Sequence, residues 1–240
     1  MVDSAEANAA IWKSEATVAD WVATAGSREH GRTRAREVLA ELLPFADDEA
    51  FTFVDLGAGT GAASRAVLDS YPQSSGILAD YSPQMREEGR RALAGYAGRY
   101  RYVELDLGTG RWPDELDGGL QAVISSLCVH HLPDLRKAAL FGEILGRLAP
   151  GGWFLDYDPV AAEDPTVAEA WQRVQDSRDP QAASGRSQRS PEEQARWENH
   201  VRHISPLGPQ LQFLRDAGFE AVDTYWKELD HVIFGGRRPA

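Results

Sequence analysis

The stretch Phe51-Thr52-Phe53-Val54-Asp55-Leu56-Gly57-Ala58-Gly59-Thr60-Gly61 limits this chain more than any other. A short apolar, β-rich run ends in three glycines at alternate positions, and an amphipathic segment from Ala62 to Tyr71 follows at once. A buried strand that feeds a helix through a glycine-rich turn is the opening half of a nucleotide-binding βαβ unit. Without Cβ atoms the turn can adopt positive φ and lie against a ligand. Backbone N–H groups and a helix N-terminus then face that ligand.

Two patterns compete for these residues. Gly57, Gly59 and Ala62 satisfy the dinucleotide pattern G-x-G-x-x-G/A, and Asp80 lies about where a ribose-binding acid is expected. Asp55, however, sits two residues before the first glycine, at the C-terminal end of the strand. A carboxylate there repels a pyrophosphate and suits a cation bearing an ammonium and a sulfonium. Gly61 also makes the run G-x-G-x-G. An NAD-linked oxidoreductase would further need a catalytic Tyr-Lys or His-Asp set, and Lys occurs only at 13, 137 and 227.

Downstream, strands are expected at Gly76–Asp80, Tyr100–Leu105 and Leu120–Ser126, with helices at about 83–93 and 135–148. Ser82-Pro83 reads as an N-cap and first helical residue. Asp80 therefore ends the second strand beside the glycine turn, with Tyr81 and Met85 either lining a ligand or packing the core. The fourth strand runs into Ser125-Ser126-Leu127-Cys128-Val129-His130-His131-Leu132. Ala149-Pro150-Gly151-Gly152 then leads to an apolar strand ending in Asp156-Tyr157-Asp158-Pro159. After a final helix from Ser205-Pro206 to Gly218 come two strands, Phe219–Tyr225 and Leu229–Phe234. They are joined by so short a turn that they must be antiparallel. Residues 235–240 read as a solvated tail.

Three stretches in this order resemble the class I S-adenosylmethionine-dependent methyltransferases of the small-molecule type (methyltransferase type 11/12-like). They are V-D-L-G-x-G-x-G at 54–61, the serine and tandem-histidine stretch at 125–132, and the L-x-P-G-G turn at 148–152. Gln121 stands where the family commonly has an acid at the start of the fourth strand. The resemblance implies an α/β fold, a Rossmann-like seven-stranded mostly parallel sheet of order 3-2-1-4-5-7-6 with helices on both faces. It also implies S-adenosyl-L-methionine as cofactor. Gly57, Gly59 and Gly61 would cradle the methionine portion with Asp55 near its ammonium and Ser125 at the strand end. Asp80 would hold the ribose, and Asp106 with Leu107 the adenine. Tyr81 and Met85 would line the same site.

The implied reaction is in-line transfer of the sulfonium methyl to an O or N atom of a small-molecule acceptor. His130, His200, His203 and Asp158 are the base candidates. No metal is expected, because the tandem histidines lack nearby ligands and adjacent side chains should diverge. The alternatives are a tRNA-modification-linked enzyme acting on an S-adenosylmethionine derivative, or a non-catalytic regulator that binds the cofactor.

Composition narrows the partners. With 25 basic against 37 acidic residues, net charge −12, broad nucleic-acid or anionic-membrane binding is disfavoured. One cysteine excludes an intramolecular disulfide, and neither a signal peptide nor a membrane span is read, so a cytoplasmic monomer or homodimer is expected. The chain divides into an N-terminal helical cap (1–49), a core (50–158 and 205–236) and a lid insertion (160–204). The cap, with Trp12, Trp21 and His30, includes a helix at 28–43. The lid has helical pieces around 167–174 and 192–201, with a mobile polar stretch between them. Trp171, Trp197, His200 and His203 are its substrate-facing candidates.

Overall fold

The computed structural model describes residues 32–240. The expected helices before residue 28, the start of the helix at 28–43, and Trp12, Trp21 and His30 lie outside the described residues. Helix α1 occupies residues 32–41. Strands β1 (Thr52–Leu56), β2 (Ser75–Ala79), β3 (Tyr100–Val103), β4 (Leu120–Ser126) and β5 (Leu148–Pro159) are parallel neighbours. Strands β6 (Glu220–Glu228) and β7 (His231–Arg237) form an antiparallel hairpin, with β7 antiparallel to β5. The order β3-β2-β1-β4-β5-β7-β6 is the one implied by the resemblance.

Alternation along each strand builds two cores. Val54, Leu56, Val123, Phe154 and Phe234 face one side of the sheet. There they meet Leu140, Phe141 and Ile144 of α4 (Asp134–Arg147). Phe53, Ala122, Ile124, Leu155 and Ile233 face the other side, against Leu39 and Leu43 at the C-terminal part of the α1 segment and Val67 and Leu68 of α2 (Ala62–Ser70). Helices on both faces force the central strands to be apolar on both sides, which is why Phe53-Val54 of β1 and Ala122-Val123-Ile124 of β4 are consecutive buried apolar residues.

Several expected boundaries move, among them the turn between the last two strands, which lies at 229–230 rather than 226–228. Strand β5 begins at Leu148, five residues before Trp153, because Leu148 already pairs with Leu120 and an irregularity then absorbs the Pro-Gly-Gly turn. The C-terminal residues are not a solvated tail from 235: Gly235 and Gly236 are buried and pair with Leu155 and Phe154. Helix α3 spans Pro83–Ala92, capped by the Ser82 hydroxyl accepting from the Met85 N–H at 3.2 Å.

Between β5 and α8 (Leu207–Ala217) the chain forms α5 (Pro165–Arg178), α6 (Pro180–Ser187) and α7 (Pro191–Val201). The polar stretch expected to separate two helices is thus largely helical itself, nucleated by the Asp179 side chain accepting from the Ala182 N–H at 2.9 Å. Helix α5 has no buried residue. The segment enters and leaves the sheet at one place, where Ala161 bridges Pro206 and its N–H donates to the Ser205 carbonyl at 3.1 Å.

Lys137 anchors that junction. Its buried ammonium donates to the His203 carbonyl at 2.5 Å, the Ser205 hydroxyl at 2.5 Å and Asp134 at 3.2 Å. Burial pulls its pKa below the usual lysine range, and Asp134 opposes that pull. Lys137→Met keeps the stem and leaves the acceptors without their donor. An orphaned buried acceptor costs about 1–3 kcal/mol, so urea unfolding should show a loss of that size. An unchanged midpoint would show that the junction does not depend on Lys137.

Candidate functional site

The C-terminal ends of β1 to β5 and the start of β7 share one edge of the sheet, and the polar residues gather there. The glycine loop is left-handed at Gly57, Gly59 and Gly61, with φ of 67°, 53° and 78°. Gly57 meets a second demand, since a Cβ there would lie 2.0 Å from Cys128 Sγ. Over Gly59 a Cβ would meet only Met85 Sδ, at 4.0 Å, so this face of the loop is open to a ligand.

Asp80 ties the loop to β2. One carboxylate oxygen accepts from the Gly59 N–H at 2.8 Å and the other from the Ser82 N–H at 2.8 Å. The Ala79 carbonyl accepts from the Gly57 and Ala58 N–H groups at 2.8 and 3.1 Å. Burial raises the Asp80 pKa, and the two N–H donors hold it down. An ionised carboxylate has about four acceptor positions, so two remain beyond those taken by the backbone.

Asp55 lies under the loop, fully buried. One oxygen accepts from the Ser64 N–H and hydroxyl at 3.2 and 2.6 Å, at the N-terminal turn of α2. The other, Oδ1, is buried with no hydrogen-bond partner. Burial lifts this carboxyl from 3.8 to about 7, against the two bonds from Ser64. Such an orphaned oxygen beside an open glycine cradle is what a cationic ligand would satisfy.

Asp106 is half-buried after β3 and accepts from the Gly108 N–H at 2.9 Å. Leu107 is buried, and its carbonyl accepts from Arg136 Nε at 2.6 Å. Arg136 is itself held by Glu143 through two 2.7 Å bonds, and Trp112 Nε1 donates to the same carboxylate at 2.8 Å. Tyr81 is half-buried, and burial raises its phenol pKa. Ser125 is buried in register with Asp156 of β5. Burial and the charge of Asp158 raise the Asp156 carboxyl well above its usual range, with Ser125 and Lys137 opposing.

Leu127 takes φ 57° at the end of β4, which costs a residue with a Cβ about 1–2 kcal/mol. The turn delivers Val129–His131, one 3-10 turn, onto the end of β5. There the His130 N–H donates to one Asp158 oxygen at 2.6 Å, and its Nδ1 shares a 2.8 Å bond with the other. Burial holds the imidazole uncharged, well below its usual pKa, and raises the Asp158 carboxyl to about 7. With Asp158 ionised, Nδ1 carries the proton and Nε2 is a lone pair, buried and without a hydrogen-bond partner.

The tandem histidines do not diverge. Successive residues of a 3-10 turn are about 120° apart rather than opposed as in a strand, and the His130 and His131 ring centroids are 4.0 Å apart. Nor are they isolated. His200, near the C-terminal end of α7, brings its ring to 5.4 Å from His130 and 4.7 Å from His131. His203 lies just beyond, its Nε2 buried and without a hydrogen-bond partner. Trp197 is exposed under Arg189, and Trp171 carries Lys227 over its ring.

Tyr102 had no signal in the sequence. Its hydroxyl donates to the Gly59 carbonyl at 2.9 Å, passing α3 where Gly89 has no side chain; a Cβ there would sit 1.8 Å from the phenol oxygen. Its reach to the loop depends on the gap that Gly89 leaves in α3, a tertiary contact that the strand order alone does not show.

Residues 53–152 match the family model of a methyltransferase domain. The trans-aconitate 2-methyltransferase of Azoarcus sp. (strain BH72) is 26% identical over 210 residues, 87% of this chain and 76% of that protein. The malonyl-[acyl-carrier protein] O-methyltransferase of Xylella fastidiosa (strain M23) is 29% identical over 102 residues, 42% of this chain and 32% of that protein. Among solved structures, PigF with SAH superimposes with a TM-score of 0.66 at 19% identity, covering 95% of this chain and 61% of that one. Human N-acetylserotonin methyltransferase in complex with SAM gives 0.67 at 16% identity, covering 100% and 61%. The chain thus spans about three-fifths of the length of these two solved structures.

The raised carboxyl of Asp55 has a measurable consequence. The folded state holds this proton more tightly than the unfolded chain, so its stabilisation is full below about pH 4 and is lost as pH rises through about 7. Asp55→Asn removes the titration at nearly constant shape. Urea midpoints measured from pH 4 to 7.5 should fall less steeply in the variant, and parallel curves would refute the shift.

Proposed function

We propose that this chain, which belongs to the class I S-adenosylmethionine-dependent methyltransferases, methylates a hydroxyl or amine of a small-molecule acceptor. The observation that carries this reading is the buried His130–Asp158 pair at the edge of the sheet that also bears the glycine loop. A carboxylate acceptor needs no base, whereas an O–H or N–H acceptor must lose a proton.

The residues present fit the cofactor. The open face over Gly59 and the orphaned Asp55 Oδ1 suit its methionine portion, with Gly57, Gly61 and Ser125 around it. The two remaining acceptor positions of Asp80 suit the ribose hydroxyls, and Asp106, Leu107, Tyr81 and Met85 would line the adenine side. When bound, S-adenosylmethionine supplies a methyl group on a sulfonium, which leaves as a neutral thioether.

His130 is the base in this reading, with Nε2 taking the acceptor's proton. Asp158 is its positioning residue. It fixes the ring through both Nδ1 and the backbone N–H, and it stabilises the imidazolium that forms. The inserted segment 160–204 acts as a lid that excludes water and shapes the acceptor pocket. Asp156 and Asp158, both buried, make this end of the sheet a poor host for a polyanion. A neutral or cationic acceptor therefore suits it better than a tricarboxylate, unlike the substrate named for the Azoarcus relative. No helix among the described residues is long and apolar enough to cross a membrane. The relatives described above are methyltransferases, which does not favour the tRNA-linked or purely regulatory readings.

The test separates binding from turnover. Asp80→Ala should weaken S-adenosylhomocysteine binding at least about a hundredfold, since hydrogen bonds to charged groups contribute about 1.5–3 kcal/mol each. His130→Ala should keep that affinity within about twofold and lower kcat by about 10²–10⁴ on any phenol, alcohol or amine that turns over. Undiminished kcat in His130→Ala would remove the base, and undiminished affinity in Asp80→Ala would remove the ribose assignment.

A further inference from the structure

We propose that His130, His131 and His200 form a site for one borderline divalent cation, zinc by preference, where helix α7 meets the turn after β4. One ring nitrogen from each of the three lies within 4.8 Å of the other two. Tetrahedral coordination at 2.0–2.1 Å sets nitrogens about 3.3 Å apart. The widest separation must then close by about 1.5 Å, which ring rotation supplies, most freely at His200 on the exposed side of α7.

A second observation points into the same space. His130 Nε2 is buried and lacks a hydrogen-bond partner, while Asp158 holds Nδ1 at 2.8 Å. A carboxylate on the far nitrogen of a histidine is the arrangement that orients zinc-bound imidazoles and raises their basicity. Three imidazoles leave the fourth position open for water or an oxygen of the acceptor. Nitrogen-only donors select zinc, cobalt, nickel or copper over magnesium and calcium.

The three ligands also come from two places. His130 and His131 belong to the sheet edge, and His200 belongs to the inserted helices. A bound cation would therefore staple the segment 160–204 to the core. It would also occupy Nε2, the lone pair assigned to the base. This consequence alone rests on the functional reading above, whereas cation binding does not.

The experiment is calorimetric titration of zinc chloride into the untagged, metal-stripped full chain, with cobalt chloride followed by visible absorbance. One equivalent should bind, and cobalt should show the intense bands of a tetrahedral site. Asp158→Asn should weaken zinc about 10–100-fold. His200→Ala on the exposed helix, and the double variant His131→Ala/His200→Ala, should weaken it further while still binding S-adenosylhomocysteine, which shows that they fold. Failure of zinc and cobalt to bind one-to-one would overturn the site, as would undiminished zinc affinity in His200→Ala and the double variant. Magnesium displacing zinc at equal concentration would overturn the choice of cation. Zinc saturation should abolish turnover, and a chelator should restore it. Stoichiometric binding with undiminished turnover would sustain the cation site and overturn the base assignment instead.

Discussion

The structure of the functional edge depends on one carboxylate. Asp80 accepts from the N–H groups of Gly59 and Ser82, so the same side chain fixes the glycine loop and starts the helix after β2. Without it the loop would retain the Ala79 carbonyl and the phenol of Tyr102 as its external ties. Loop, strand end and helix start are thereby one rigid body before any ligand arrives. Such pre-organisation spares binding the cost of ordering a flexible loop.

The opposite wall is assembled differently. Here the chain accepts local strain and tight contact to bring distant residues together. Leu127 sits in the left-handed region, Cys128 occupies the volume that Gly57 leaves empty, and the following turn aligns both amide and ring of His130 with Asp158. Packing and strain on one side, hydrogen bonds on the other, hold the two halves of the cleft. Four carboxylates, Asp55, Asp80, Asp156 and Asp158, are buried along this edge and all are pushed toward protonation. That electrostatic cost is concentrated where positive charge would relieve it.

The elements were legible because their signals are local and periodic: apolar strands, turn glycines, Ser82-Pro83 and an antiparallel terminal pair; their order in the sheet came from the family resemblance. The residues at the strand ends were legible for the same reason, since a strand's last residue in a parallel sheet faces the cleft whatever its partners. Other features were hidden. That Asp158 would meet His130, and His200 would join the tandem histidines, depends on contacts across 28 and 70 residues of sequence. Tyr102 and the Arg136–Glu143–Trp112 support of Leu107 were hidden for the same reason. The divergence expected of adjacent histidines failed because it assumed extended backbone where the chain makes a 3-10 turn.

The inserted helices leave and rejoin the sheet at nearly the same point, closed by the Ala161–Pro206 bridge and by Lys137 beneath it. Because the two ends are already neighbours, the length and sequence of what lies between them place little demand on the sheet. Under the lid role proposed for this segment, such an arrangement would let the acceptor pocket diversify by exchange of a single cassette while the cofactor half stays constant. On that reading, grafting a segment of different length at residues 161 and 206 would be a route to a new acceptor range on an unchanged donor site.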